Sequence, residues 1–225
     1  MLDPYLHLIQ KYPFSFLPDL ALLIAVLSGM LNFRYLNRAM QGLLLMAMLC
    51  LGIEMILIYY AAHRMNNHFL SNLTSLVMMV GFARAYLTQI LRHQIRLGVW
   101  AVLSCYLVVF VAAFEWTRIS EFLLAVERIG LLAYVILYFR SISLEMRVAN
   151  LLTHSLFWVS VGIIIYAGGT LFIFLNIRFN FNSLTIFIRD YQIYWRYSLC
   201  VTTLLYSVLS AGFWLRRYEA RAQIA

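Results

Sequence analysis

The sequence points to an all-α, polytopic membrane protein, a bundle of seven transmembrane helices. Three observations carry this. First, 64% of the 225 residues are hydrophobic and 12% are charged, with a mean hydropathy of +0.84. A soluble domain is about half apolar and about one quarter charged, so in water this chain would expose too much hydrocarbon. Second, the apolar residues fall in seven runs, each near the roughly 20 residues that an α-helix needs to cross a bilayer. Third, the arginines stand at the ends of those runs, where they anchor helices at the lipid headgroups. That placement makes the lipid bilayer the partner and excludes nucleic acid, despite a formal net charge of +8.

The elements follow in order. Residues 1–18 form a short N-terminal segment containing Pro13 and Pro18. Helix one covers 19–36, with Pro18 and Asp19 suited to its start and Arg34 and Arg38 at its far end. Helix two covers 40–62 and contains Glu54, and a polar turn, 63–68, follows. Helix three covers 69–91, with Asn72, Thr74 and Ser75 near its start and Arg84 deeper. Arg92 and Arg96 bracket the next turn, and helix four, 97–114, has no charge inside. Glu115, Arg118 and Glu121 surround the turn into helix five, 119–139, whose apolar run 122–139 holds Glu127 and Arg128. A polar connection, 140–150, leads to helix six, 151–177. The longest loop is 178–190, helix seven covers 191–215, and 216–225 is a cytoplasmic tail. Residues 19–215 thus form one transmembrane domain, and connections this short favour antiparallel neighbours.

Seven spans put the termini on opposite sides. One side holds Arg34, Arg38, Arg92, Arg96, Arg140, Arg147, Arg216, Arg217 and Arg221. The other holds Lys11, Arg64, Arg118, Arg178, Arg189 and Arg196. Basic loops stay in the cytoplasm, so the N-terminus is expected outside and the C-terminus inside, in the cytoplasmic (inner) membrane. Trp100, Trp116, Trp195 and Trp214 fall near helix ends, as interface anchors do.

Several chemistries are excluded or weakened. The single lysine, Lys11, precedes helix one, so a retinal Schiff base at mid-membrane is ruled out. Cys50, Cys105 and Cys200 lie inside apolar runs with no CxxC or Cys/His cluster, which reads as packing thiols rather than disulfides or zinc. No HExxH, GxSxG or intramembrane aspartate pair occurs. Neither a catalytic residue, a metal nor a cofactor is assigned. No internal repeat is evident, which argues against a two-repeat transporter.

The intramembrane charges are the candidate site. At 1.5 Å rise per residue, Glu54 and Glu127 reach similar depth in the half nearer the N-terminus. Ala47, Cys50, Glu54 and Ala61 share one stripe of helix two, and Ser120, Glu127, Gly130 and Tyr134 one stripe of helix five. Small residues at such spacing let helices approach, so both glutamates are expected to face the bundle. Arg128 lies about 100° round from Glu127, which makes them poor direct partners. It is expected to meet Glu54 instead, or to snorkel past Trp116. Two readings stand side by side: an ion pair locking helix two to helix five, and a polar pocket for a small-molecule ligand. On helix six, Ser155, Gly162, Gly169 and Asn176 recur every seven residues, with Tyr166 beside them and Gly168–Gly169 permitting close contact or a kink. The ligand-binding candidates are Glu54, Glu127, Arg128, Tyr166, Asn72 and Thr202.

The run from Phe157 and Trp158 through Ser160, Gly162, Tyr166, Gly168, Gly169 and Thr170 to Phe172 resembles the helix-six pattern of a family of uncharacterised bacterial seven-transmembrane-helix proteins. That family is similar in length, and its glutamates in helices two and five are matched here by Glu54 and Glu127. Asn72 and Ser75 stand in helix three where a further acidic residue would be expected. The resemblance implies a stand-alone sensor module working with a separate histidine kinase. The expected function is therefore a receptor-like protein with a polar intramembrane pocket, signalling to a separate partner. The alternatives are a small solute or proton-coupled transporter, in which a buried glutamate changes protonation, and an intramembrane lipid-modifying enzyme.

Overall fold

The computed structural model describes residues 13–145, 151–180 and 184–222, with side chains described for 14–145, 151–172 and 194–221. Lys11 and Arg147, and the side chains of Asn176, Arg178 and Arg189, lie outside the described residues. Within them there is no strand, and seven helices are long and apolar enough to cross a membrane. They are α1 (Leu17–Leu31), α2 (Arg38–Ala62), α3 (His68–Gln89), α4 (His93–Ala113), α5 (Glu121–Glu145), α6 (Ser155–Asn180) and α7 (Leu184–Ala222). The protein is an all-α multi-pass membrane bundle. Below, the near end is where α1, α3, α5 and α7 begin, and the far end is where they finish.

Helix ends differ from the sequence expectation where local hydrogen bonds compete. α1 stops at Leu31 rather than 36. Asn32 folds back, its Nδ2 donating to the Ser28 carbonyl at 2.8 Å, and Phe33–Tyr35 tightens into a 3-10 turn. Asn37 then caps α2, its Oδ1 accepting from the Met40 amide at 3.0 Å. α5 continues to Glu145, where an i,i+4 bond from Ser141 Oγ to Glu145 Oε1 (2.8 Å) spans its last turn. Leu151–Thr153 is a 3-10 turn, so α6 begins at Ser155. The expected loop 178–190 is mostly helix, because α6 runs to Asn180 and α7 starts at Leu184. That stretch holds neither glycine nor proline, and polar residues alone do not interrupt a helix.

Six helices close a ring in the order α1–α2–α3–α5–α6–α7 and back to α1, and α4 lies outside it against α3 and α5. This explains why the stretch 97–114 carries no charge. It buries one stripe, Ile95, Val99, Leu103 and Tyr106, and turns Leu97, Val108 and Val111 outward. Val111 is 82% exposed, a surface for acyl chains. Lipid is as apolar as leucine, so hydrophobicity does not drive such helices together, and close packing and polar contacts do. Ser28 and Ser210 join α1 to α7 at 2.8 Å, Tyr86 and Ser160 join α3 to α6 at 2.9 Å, and Ser75 and Tyr106 join α3 to α4 at 2.6 Å. At the far end, Ser155 Oγ of α6 donates to Glu219 Oε2 of α7 at 3.1 Å.

Glycines serve the close contacts. A methyl on Gly162 would stand 3.1 Å from Val208 Cγ1, and one on Gly169 would stand 3.1 Å from Tyr197 Oη, so this stripe seats α6 against α7. Gly168 points into open space. The packing-thiol reading holds for Cys50, which is buried; Cys105 and Cys200 are exposed on the outside of the bundle.

The ring is filled unevenly. In the far half, Phe82, Tyr86, Tyr134, Met40, Leu43 and Phe213 are almost wholly buried. In α2 the buried positions stop at Cys50, and the near half of that helix is at most partly covered. The near half is where the ring opens.

Candidate functional site

A cavity of about 230 Å³ occupies the near half of the ring. α2 contributes Glu54, and α3 contributes Ser71, Thr74, Ser75 and Met78. α5 and the residues before it contribute Ile119, Glu121, Leu124, Glu127 and Arg128, and α6 contributes Tyr166. α7 lays Tyr194, Trp195, Ser198, Thr202 and Tyr206 along the wall. The four positions 194, 198, 202 and 206 recur every fourth residue, the spacing that keeps side chains on one helix face.

Five of the six candidates, Glu54, Glu127, Arg128, Tyr166 and Thr202, line this single cavity. Glu54 is half-buried, and its carboxylate makes no hydrogen bond or ion pair among the described residues. The Thr202 hydroxyl donates to the Ser198 carbonyl at 2.8 Å, which leaves its oxygen able to accept.

Glu127 and Arg128 are paired directly, contrary to the expectation from their angular separation. Arg128 Nη1 donates to Glu127 Oε2, with both side chains buried. Arg128 is buried, and a buried guanidinium needs a counter-charge, so the long arginine chain bends back to its neighbour. α6 fixes it there: Arg128 Nε donates to Thr170 Oγ1 at 3.0 Å, and the guanidinium carbon lies 4.5 Å from the centre of the Tyr166 ring. Thr170 Oγ1 in turn donates to the Tyr166 carbonyl at 2.6 Å, and the Tyr166 hydroxyl reaches Met78 Sδ at 3.9 Å. The pair therefore ties α5 to α6, where a link from α2 to α5 was expected. Arg128 is 6% exposed, so it does not snorkel past Trp116, which is 68% exposed. Glu127 Oε1 is buried with no hydrogen-bond partner among the described residues.

Asn72 is not part of the cavity wall. It is wholly buried and clamps the α4–α5 connection. Its Nδ2 donates to the Glu115 carbonyl (2.9 Å) and the Arg118 carbonyl (3.1 Å), and its Oδ1 accepts from the Ser120 amide (3.1 Å). A polar residue one turn inside a membrane helix suits either role, and only the position of the facing loop decides between them. Glu115 and Arg118 are exposed, so water can replace the asparagine at their carbonyls, whereas the buried Ser120 amide would be left unpaired. Asn72→Leu is accordingly expected to cost about 1 kcal/mol, at the low end for an unsatisfied buried group. Chemical unfolding in mixed micelles reads it, and no change in stability would contradict the clamp.

Sequence reasoning missed Glu121, Tyr194, Trp195, Ser198 and Tyr206 of the cavity and Thr170 behind it. Thr170 lies four residues after Tyr166, hence on the same face. The hydroxyl and aromatic residues of α7 carry the fourfold spacing noted above, a signal already present within the expected helix 191–215. His154 stands at the far end, away from the cavity, its Nδ1 3.4 Å from Tyr138 Oη and its Nε2 3.9 Å from Glu219 Oε1. Burial holds its imidazole below the ordinary value, with Glu219 opposing that shift.

The described residues contain no group of three or more His, Cys, Asp or Glu side chains able to hold a metal ion. Compared with models of known families, with curated proteins and with solved structures, the chain matches none.

Proposed function

We propose that this membrane protein is a receptor-like sensor whose near-half cavity binds a small cationic solute. The observation that supports it most is Glu54, a carboxylate on the cavity wall without a partner among the described residues. Three carboxylates, Glu54, Glu121 and Glu127, face one guanidinium, Arg128, which Glu127 already engages. The wall thus carries excess negative charge beside the aromatic rings of Tyr166, Tyr194 and Tyr206, a setting that favours a cation. The volume is below the roughly 300 Å³ at which drug-sized pockets begin, so the solute is small.

The near end faces outside and the far end the cytoplasm of a bacterial inner membrane. The excess of arginines among the described far-end residues supports this orientation. Binding is relayed to a separate partner at the far end, such as a histidine kinase. A sensor fits better than a carrier because the ring below Glu127 and Arg128 is filled by Phe82, Tyr86, Tyr134 and Phe213. A carrier would also have to open this packed half in a second state.

A thermal-shift screen of purified protein with small amines, carboxylates and sugars tests this. A solute at a hundred times its dissociation constant stabilises the fold by about 2.7 kcal/mol. Amines are expected to do so in the native protein and to lose the effect in Glu54→Gln. Stabilisation by carboxylates alone, or amine shifts unchanged in Glu54→Gln, would refute the assignment.

A further inference from the structure

We infer a second site, independent of the near-half cavity, that holds the headgroup and upper acyl chain of an anionic phospholipid. It is a groove of about 550 Å³ at the far end, lying over α3 between α2 and α4. Its rim carries Arg38 from the start of α2, Arg84 from α3 and Arg96 from the first turn of α4. No acidic side chain lines it. None of the three guanidinium groups has a hydrogen bond or ion pair among the described residues, and all three residues are exposed. Their charge is therefore uncompensated within the described protein.

Arg84 packs against its neighbour α2. Its stem crosses Gly42 of α2: a methyl there would stand 3.7 Å from Arg84 Cδ and 3.9 Å from Nε. Those are ordinary contact distances, so the Arg84 stem rests against α2 at Gly42, one turn beyond Arg38 on the same helix face. Three guanidinium-bearing residues lining one groove suit a phosphate, which accepts from several N–H donors at once.

The rest of the groove distinguishes a lipid from a free phosphate. Deeper than the arginines its walls are Val80 and Leu103, with Leu87 beside the rim and Trp100 at the edge, 51% exposed. Arg84 lies five residues before the end of α3, roughly 7.5 Å of helix rise, a depth from which a guanidinium can meet a headgroup phosphate while its stem stays in hydrocarbon. An apolar wall running down from a basic rim suits an acyl chain joined to its phosphate, and an inorganic anion would use the rim alone.

The experiment is tryptophan quenching in vesicles by brominated phosphatidylglycerol and brominated phosphatidylcholine, with Trp100→Phe identifying the Trp100 signal. Phosphatidylglycerol is expected to quench Trp100 at lower mole fraction than phosphatidylcholine. Arg84→Gln and Arg96→Gln are each expected to reduce that preference by about fivefold, the effect of one basic residue on anionic lipid. Both positions are exposed, so the fold is expected to survive; thermal midpoints measured in parallel check this, and Arg38→Gln gives a third reading. Equal quenching by the two lipids, or a preference that persists in the arginine variants, would overturn the proposal. Loss of the preference on adding inorganic phosphate at constant ionic strength would overturn it in favour of a soluble-anion site.

Discussion

Replacing Arg128 by methionine is expected to destabilise the protein by about 3–5 kcal/mol, the cost of removing one partner of a buried ion pair. The substitution leaves Glu127, which is 0% exposed, facing an apolar side chain in place of a guanidinium. It also removes the donor to Thr170 and the cation above the Tyr166 ring, so α5 loses its polar hold on α6. The double variant Glu127→Gln with Arg128→Met is expected to be more stable than Arg128→Met alone, because no unpaired charge then remains inside. Equilibrium unfolding in mixed micelles gives both values, and the single variants complete the thermodynamic cycle. A loss below about 0.5 kcal/mol for Arg128→Met, the size of a surface substitution, would show that the pair is solvated.

Gly81→Leu carries the next largest effect. A methyl on Gly81 would stand 2.6 Å from Met46 Cβ and 2.7 Å from Met46 Sδ. Methionine usually yields to such pressure because its chain is flexible. Here the crowded atoms include the Cβ, which moves only with the backbone of α2. The two helices must separate, and overpacking of this kind costs about 1–3 kcal/mol or more. Gly168→Leu is the control: nothing lies within 4 Å of its added methyl, so the new side chain enters lipid. The expected result is a lower unfolding midpoint for Gly81→Leu and little change for Gly168→Leu. Equal effects would mean that general loss of glycine, rather than the α2–α3 contact, sets the stability.

Much of this architecture is legible from hydropathy and spacing. Glu54 and Glu127 reach one depth because helices two and five run oppositely with known rise, and each shares a stripe with small residues. Both line the same cavity. What escaped has physical causes. Helical angles place Cα atoms, not the tips of long side chains, so they could not anticipate Arg128 bending back to Glu127. Asn72 answers to a loop that only the tertiary fold brings within reach. The length of α7 was hidden because Arg189 and Asp190 look like a boundary, yet a charged pair costs a helix little outside the hydrocarbon. The position of α4 outside the ring is implicit in the absence of charge beyond its first turn, but composition alone does not say which neighbours it covers.

α7 is a single helix of 39 residues, roughly 58 Å long at 1.5 Å per residue, nearly twice the hydrocarbon thickness of a bilayer. Its described side chains line the cavity from Tyr194 to Tyr206, and its last turns carry Glu219, which binds Ser155, and Arg217 and Arg221, each set over the ring of Tyr35. No proline or glycine pair divides those two regions. A stiff beam gripped at both levels moves as one piece, so a tilt of a few degrees at its upper portion sweeps the lower by ångströms. Leverage of this kind needs neither a hinge nor a chain of intermediate contacts.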